Sequence, residues 1–328
     1  MGVLTMIQLG MIGTSKIAAQ FADAVKDSKA YEFAAIYSRK EDTAKAFCAE
    51  YPFKKIYTDL NELACDPEVD AVYIASPNSL HFSQALLMLT HKKHVICEKP
   101  VCVTIGECRQ LFHTARENNV ILLEAMRPAF DPAFMAVREH LHKLGTIRRV
   151  SFSFCQYSSR YDNFKKGIIA NVFNPKMGGG ALLDIGIYPV YMLAFLFGQP
   201  EYVRCMDIRL NNGIDGMGEI SAAYKNFIAD ISYSKITNSF VPSRIEGENG
   251  YMTINKISEP TEVIIHYNDK HSETIYKSEP INNMIYEAKA FAHMVKDHDA
   301  PEIYEKTSMA AMSVIEAAKE GGHSVSAE

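Results

Sequence analysis

Three short stretches carry residues whose types and spacing could do chemistry. Cys97-Glu98-Lys99-Pro100 sets a lysine directly after an apolar run, where its ammonium could hydrogen-bond a substrate hydroxyl. Gly178-Gly179-Gly180 leads into a helical segment bearing Asp184 and Tyr188, four positions apart and so on one helical face. A carboxylate there could orient a hydroxyl, and a phenol could move a proton if a cation lowers its pKa. Asp184 lies in an otherwise apolar stretch, where an unpartnered carboxylate is costly. A surface lysine at a strand end, and a packed tyrosine beside a solvated aspartate, are the structural alternatives. The third stretch, Gly13-Thr14-Ser15-Lys16-Ile17-Ala18, follows the apolar run Met6–Ile12. Between a strand and a helix, Gly13 permits a sharp turn and Ala18 permits close packing. The helix N-terminus then offers N–H groups and positive dipole to a pyrophosphate. Ser15 stands where a second glycine is usual; its small side chain could fit and its hydroxyl could bond a phosphate.

Two further segments belong with that turn. Ser38 stands roughly 20 residues beyond Ala18, where an acid would hold the 2′-hydroxyl of an NAD ribose. No acid is present; Ser38 and Arg39 suit a 2′-phosphate, and an exposed basic loop is the alternative. Ser76, Pro77 and Asn78 end another short apolar run and would border the same ligand. Glu98 would touch a ribose or pin its loop, and His81 would cap or pack. Glu124 with Arg127, and Tyr157 with Arg160, are weaker candidates for lining a site.

Elements that could position these residues follow from periodicity. Strands are predicted at Met6–Ile12, Tyr31–Tyr37, Ala71–Ala75, His94–Cys97 and Val120–Leu123. Helices alternate with them at Ser15–Lys26, Asp42–Glu50, His81–Leu89 and from Thr104, whose spacing to Glu107 forms a capping box, to Asn118. A capping box is also expected at Asp59–Glu62. This rhythm implies a doubly wound parallel sheet of Rossmann type. The rhythm changes near Glu124. Asp131-Pro132 opens a helix, and Arg149–Cys155 alternates as a strand. A helix ends at Phe197, and hairpin signals recur at Asn212-Gly213, Lys225-Asn226, Asn249-Gly250 and Asn268-Asp269. The second half is thus an α/β domain with a large, mostly antiparallel open sheet. Two helices, about 281–297 and 304–319, finish it, and 321–328 is expected to fray. The division expected is residues 1–123 and 124–328.

Gly13-x-Ser15-x-x-Ala18, Ile74–His81, Cys97–Pro100 and Gly178–Tyr188, in this order, resemble the Gfo/Idh/MocA family of oxidoreductases, most of all its dihydrodiol dehydrogenase and NADP-dependent D-xylose dehydrogenase branch. The resemblance runs through both halves. It implies hydride transfer between nicotinamide and a secondary alcohol or hemiacetal carbon of a small sugar, polyol or diol. Lys99, Tyr188 and Asp184 would be catalytic. Gly13, Thr14, Ser15, Ile17, Ser38, Arg39, Ser76, Pro77, Asn78, His81, Glu98 and Lys99 would hold the cofactor. NADP is expected, with NAD possible. Tyr188 stands where many members carry His, which changes the proton carrier. A non-catalytic nicotinamide-binding sensor on the same fold is the rival reading. Cofactor-recycling glycosidic-bond chemistry is a third.

Composition narrows the field. The chain has 328 residues, 48% of them hydrophobic and 22% charged, so it can bury two domain cores. A net charge of −5 gives no field that would attract nucleic acid or an anionic membrane. The apolar stretch 180–199 is too interrupted to read as a membrane span. The start, Met1-Gly2-Val3-Leu4-Thr5, lacks a basic leader region, so a cytoplasmic protein is expected. The 7 cysteines show no Cys-x-x-Cys pair and read as reduced thiols; no metal site is expected. Ile231, Tyr233, Ile264 and Ile265 suggest a sheet face covered by a second copy, hence a homodimer or dimer of dimers.

Overall fold

The computed structural model describes residues 6–326; the leader region considered above, Met1–Thr5, lies outside them. The chain divides into two compact units, and the first is discontinuous: it runs to Ala125 and is completed by Asn282–Glu305.

In the first unit, β1 (Ile7–Ile12), α1 (Lys16–Ser28), β2 (Tyr31–Tyr37), α2 (Glu41–Cys48), β3 (Lys55–Tyr57), α3 (Leu60–Cys65), β4 (Ala71–Ile74), α4 (Asn78–Thr90), β5 (His94–Glu98), α5 (Ile105–Glu117) and β6 (Leu122–Ala125) alternate strictly. The sheet order is β3-β2-β1-β4-β5-β6 and every pairing is parallel. The strand order therefore reverses between β1 and β4, which is where such sheets open a ligand crevice. Thr104 and Glu107 form the expected capping box at α5. Asp59 caps α3 through the Asn61 N–H at 2.8 Å. The 124–328 boundary expected from sequence needs correction, because residues from the far end of the chain return. Tyr31 Oη donates to Ala288 O, Asn282 Nδ2 donates to Gln20 O at 2.7 Å, and Phe291 is fully buried.

The second unit carries α6 (Pro132–His140), β7 (Ile147–Cys155), α7 (Tyr161–Lys165), a π-helical turn Leu182–Gly186 running into α8 (Ile187–Phe197), then β8 (Tyr202–Arg209), β9 (Asp215–Ala223), β10 (Ile228–Ser234), β11 (Ser243–Gly247), β12 (Gly250–Ile254), β13 (Glu262–Tyr267) and β14 (Ser272–Lys277). After these come α9 (Met284–Asp297), which belongs to the first unit, α10 (Glu302–Glu320) and β15 (His323–Ser326). The nine strands run β14-β13-β12-β11-β7-β10-β9-β8-β15, mostly antiparallel, with β7/β10 and β8/β15 parallel. All four hairpin signals fall at strand connections. The expected frayed tail is instead an edge strand: β15 pairs with β8 from His323 to Ser326.

The π turn and α8 cover β7 and β10, and α6 covers β13 and β14. Strand alternation then decides which residues face out. Ile231, Tyr233 and Ile265 lie on the covered face and are buried, contrary to their expected place on the open one. The open face carries Met206 at 63%, Ile228 at 60% and Val325 at 64% exposure. The stretch Pro175–Phe197 is long and apolar enough to cross a membrane by length and composition, but its apolar window is 83% buried within the protein.

Candidate functional site

In the first unit the candidate residues gather at the C-terminal edge of the parallel sheet. Gly13 leaves β1 with φ +109°, and a Cβ there would sit 2.7 Å from Ala75 O at the end of β4. Only glycine satisfies both demands, and the bare backbone makes a cradle at the start of α1. Ser15 is the N-cap of α1, its Oγ accepting from the Ala18 N–H at 3.4 Å. The hydroxyl proton remains available to donate to a phosphate. No acidic residue lies in the first turn of α1, so nothing there offsets the positive end of the helix. Thr14 and Ile17 are half-buried beside it.

Beyond β4, Ser76 Oγ is buried and has no hydrogen-bond partner among the described residues, an orphaned polar atom of the kind a bound ligand satisfies. Pro77 precedes α4 and Asn78 begins it. At the end of β2, Ser38 Oγ accepts from the Lys40 N–H at 3.4 Å, and Arg39 is exposed with no carboxylate partner among the described residues. A glycine cradle, an open helix N-terminus, an orphan hydroxyl and an unpaired guanidinium on adjoining strand ends fit a dinucleotide carrying an extra phosphate.

Two expected cofactor contacts lie behind this surface. His81 is fully buried, with Nδ1 2.7 Å from Pro100 O and Nε2 2.8 Å from Ser76 O. Burial holds its imidazole below the ordinary value, against the two carbonyls that favour the charged ring. It brackets the ends of β4 and β5. Glu98 is also buried and accepts from Tyr73 Oη at 2.6 Å; Tyr73 stacks on Phe21 of α1 with ring centroids 3.8 Å apart. Burial, reinforced by Glu98, keeps that phenol protonated. Lys99 is the residue that emerges, half-buried, from β5. The loop after it is held by His81 at Pro100 and by Glu124, whose Oε1 accepts from the Val101 N–H at 3.0 Å. Glu124 is therefore a brace inside the first unit, and Arg127 pairs with Glu259 at 2.7 Å in the second.

The second unit carries its own candidate residues on the π turn. Gly180 precedes it with φ +115°, and a Cβ there would collide with Asp215 Oδ1. Asp215 Oδ2 in turn accepts from the Leu182 N–H at 2.6 Å, fastening the start of the helix to β9. Burial raises the Asp215 carboxyl to about 6. Asp184 sits within the π turn, a distortion that favours functional sites. Its carboxylate pairs with Lys235, just beyond β10, a partner that sequence spacing did not reveal. Tyr188, one turn on, is buried against Phe154 in an edge-to-face contact at 5.5 Å. Tyr157 is engaged locally, donating to Asp162 at 2.8 Å and accepting from Lys165 at 3.1 Å.

Fold and site together define a dinucleotide-binding oxidoreductase with a Rossmann unit and a second α/β unit. Residues 7–126 match the oxidoreductase family with an NAD-binding Rossmann fold, and 134–253 match the GFO/IDH/MocA C-terminal domain. The chain belongs to the Gfo/Idh/MocA family. It is 39% identical to scyllo-inositol 2-dehydrogenase (NADP(+)) of Bacillus subtilis, over 97% of this chain and 98% of that one. It is 29% identical to trans-1,2-dihydrobenzene-1,2-diol dehydrogenase of Mus musculus, over 79% and 78% of the two chains. Its fold matches a 3-ketoreductase of Actinomadura kijaniata, in a structure with NADP, at TM-score 0.89 and 24% identity, covering 99% of this chain and 100% of the other.

Proposed function

We propose that the protein is an NADP-preferring dehydrogenase that moves a hydride between nicotinamide C4 and a secondary alcohol carbon of a small polyol, sugar or diol. The observation that carries this is Lys99 emerging from β5, one strand from the β4 edge where the glycine cradle and orphan Ser76 hydroxyl stand. The relatives' named substrates, scyllo-inositol and a trans-1,2-diol, give the substrate class. Bound nicotinamide supplies the hydride acceptor or donor. Lys99 donates a hydrogen bond to the reacting oxygen. Tyr188 would take the hydroxyl proton as a phenolate in oxidation and give it back as a phenol in reduction, and Asp184 orients a neighbouring hydroxyl. We further propose a cytoplasmic homodimer, or dimer of dimers, joined through the open sheet face bearing Met206, Ile228 and Val325.

A panel of sugars, polyols and diols, followed at roughly 340 nm with each cofactor, tests the activity. Tyr188→Phe should lower turnover by at least about 10²-fold while NADP still binds. Lys99→Ala should be as severe, and the double variant should lose far less than the product of the two. Full turnover in Tyr188→Phe would remove the tyrosine assignment. Tight cofactor binding without turnover of any alcohol would favour a sensor.

A further inference from the structure

Lys235 has no place in the chemistry above, yet its position is closely specified. Its backbone N–H donates to Gly216 O at 2.9 Å and its carbonyl accepts from the Ser158 N–H at 2.9 Å, so the main chain is tied on both sides. The side chain is only 10% exposed and ends at the Asp184 carboxylate. An ammonium carries three donors, and among the described residues Asp184 is the only side chain that accepts from this one. A buried cation with donors left over is costly unless something else receives them. Asp184, when ionised, can only accept. The ion pair therefore sets an acceptor and spare donors side by side, on the helix that also carries Tyr188. A hydroxyl is complementary to that arrangement, because it donates through its hydrogen and accepts through its oxygen.

We infer that Lys235 and Asp184 together grip a single hydroxyl on the carbon next to the reacting carbinol, so that the enzyme selects vicinal diols over isolated alcohols. This rests on the dehydrogenase reading. Asp184 accepts a hydrogen bond from the hydroxyl and Lys235 donates one to its oxygen. The reacting hydroxyl is left to Lys99 and Tyr188. Without the second hydroxyl, Lys235 loses an acceptor in a poorly hydrated place, its side chain being only 10% exposed. Sites built to hydrogen-bond a substrate hydroxyl discriminate strongly against analogues that lack it.

The test compares kcat/KM for trans-cyclohexane-1,2-diol and cyclohexanol, with scyllo-inositol as a polyol control, in wild type, Lys235→Met and Lys235→Arg. The wild type should prefer the diol by roughly 10²-fold or more. Lys235→Met should lower the diol and inositol rates by about 10–100-fold and the cyclohexanol rate by less than about threefold, which removes most of the preference. Lys235→Arg, which keeps charge and donors, should restore part of it. An equal fall on diol and mono-ol, in the Met variant or in the Arg variant if the former does not fold, would reduce Lys235 to a structural residue and overturn the inference. Wild-type protein that oxidises no alcohol with either cofactor would instead remove the parent reading.

Discussion

Replacing Asp215 with Asn would expose how the helix of the second unit is fastened. Asp215 accepts the Leu182 N–H at the first residue of the π turn. Burial raises its carboxyl from 3.8 to about 6, while the Leu182 N–H and Arg209 pull in the opposite direction. A folded value above the unfolded one means that the fold prefers the protonated acid. Its contribution to stability is complete below the unfolded value, near pH 4, and is lost as pH rises through about 6. At roughly 1.4 kcal/mol per pKa unit, the shift withdraws about 3 kcal/mol by pH 8. Asp215→Asn stays neutral throughout and escapes this loss. The unfolding free energy of the variant minus that of wild type should therefore climb by about 2.5 kcal/mol between pH 4 and pH 8, whatever its offset at pH 4. Urea titrations followed by circular dichroism across that interval measure the climb. A difference that stays flat to within about 0.5 kcal/mol would refute the assignment of a raised, buried carboxyl.

Arg39→Ala should lower the NADP/NAD ratio of kcat/KM by roughly tenfold or more, the worth of a charge-assisted bond to the 2′-phosphate; an unchanged ratio, or wild-type preference for NAD, counts against the phosphate role. Gly13→Ala must place a methyl 2.7 Å from Ala75 O at φ +109°, so cofactor affinity measured by fluorescence titration should fall sharply together with the melting temperature. Met206→Glu, on the open sheet face, should shift the mass in light scattering toward the monomer; a wild type that is already monomeric at micromolar concentration refutes the dimer.

Much of the first unit was legible because its signals are local. Alternating apolar runs and helix faces, the Thr104–Glu107 box and the Gly13 turn each operate within a few residues. The strand β3 escaped because Lys55–Tyr57 is three residues long and half-exposed, with no apolar run to announce it. β15 escaped because its pairing with β8 is a contact at a distance, made by a short polar tail. The π turn has the composition of an ordinary helix; it is recognised only once Asp215 and Gly180 fix its start. Lys235 lies 51 residues from Asp184, and nothing in either neighbourhood names the other. His81, a cap or packing residue on the sequence reading, is buried between Ser76 O and Pro100 O, and Glu98, expected at a ribose or as a loop pin, is buried on Tyr73 Oη; the motifs alone name neither partner. Ile231 and Tyr233 were assigned the wrong sheet face because alternation gives two faces without saying which one the helices will cover.

The return of Asn282–Glu305 to the first unit has a consequence for how the protein is made. The nucleotide-binding half is first off the ribosome, yet α1 waits for a partner that is synthesised only after the whole stretch Met126–Ile281. At about 5–20 residues per second, that wait is roughly 8–30 s. During it, the surface that Tyr31 and Phe291 later close stands open to water and to chaperones. A gene cut after Ala125 would encode an unfinished domain, so exchanging cofactor specificity between relatives by grafting requires two segments, the N-terminal stretch and its distant closing helix.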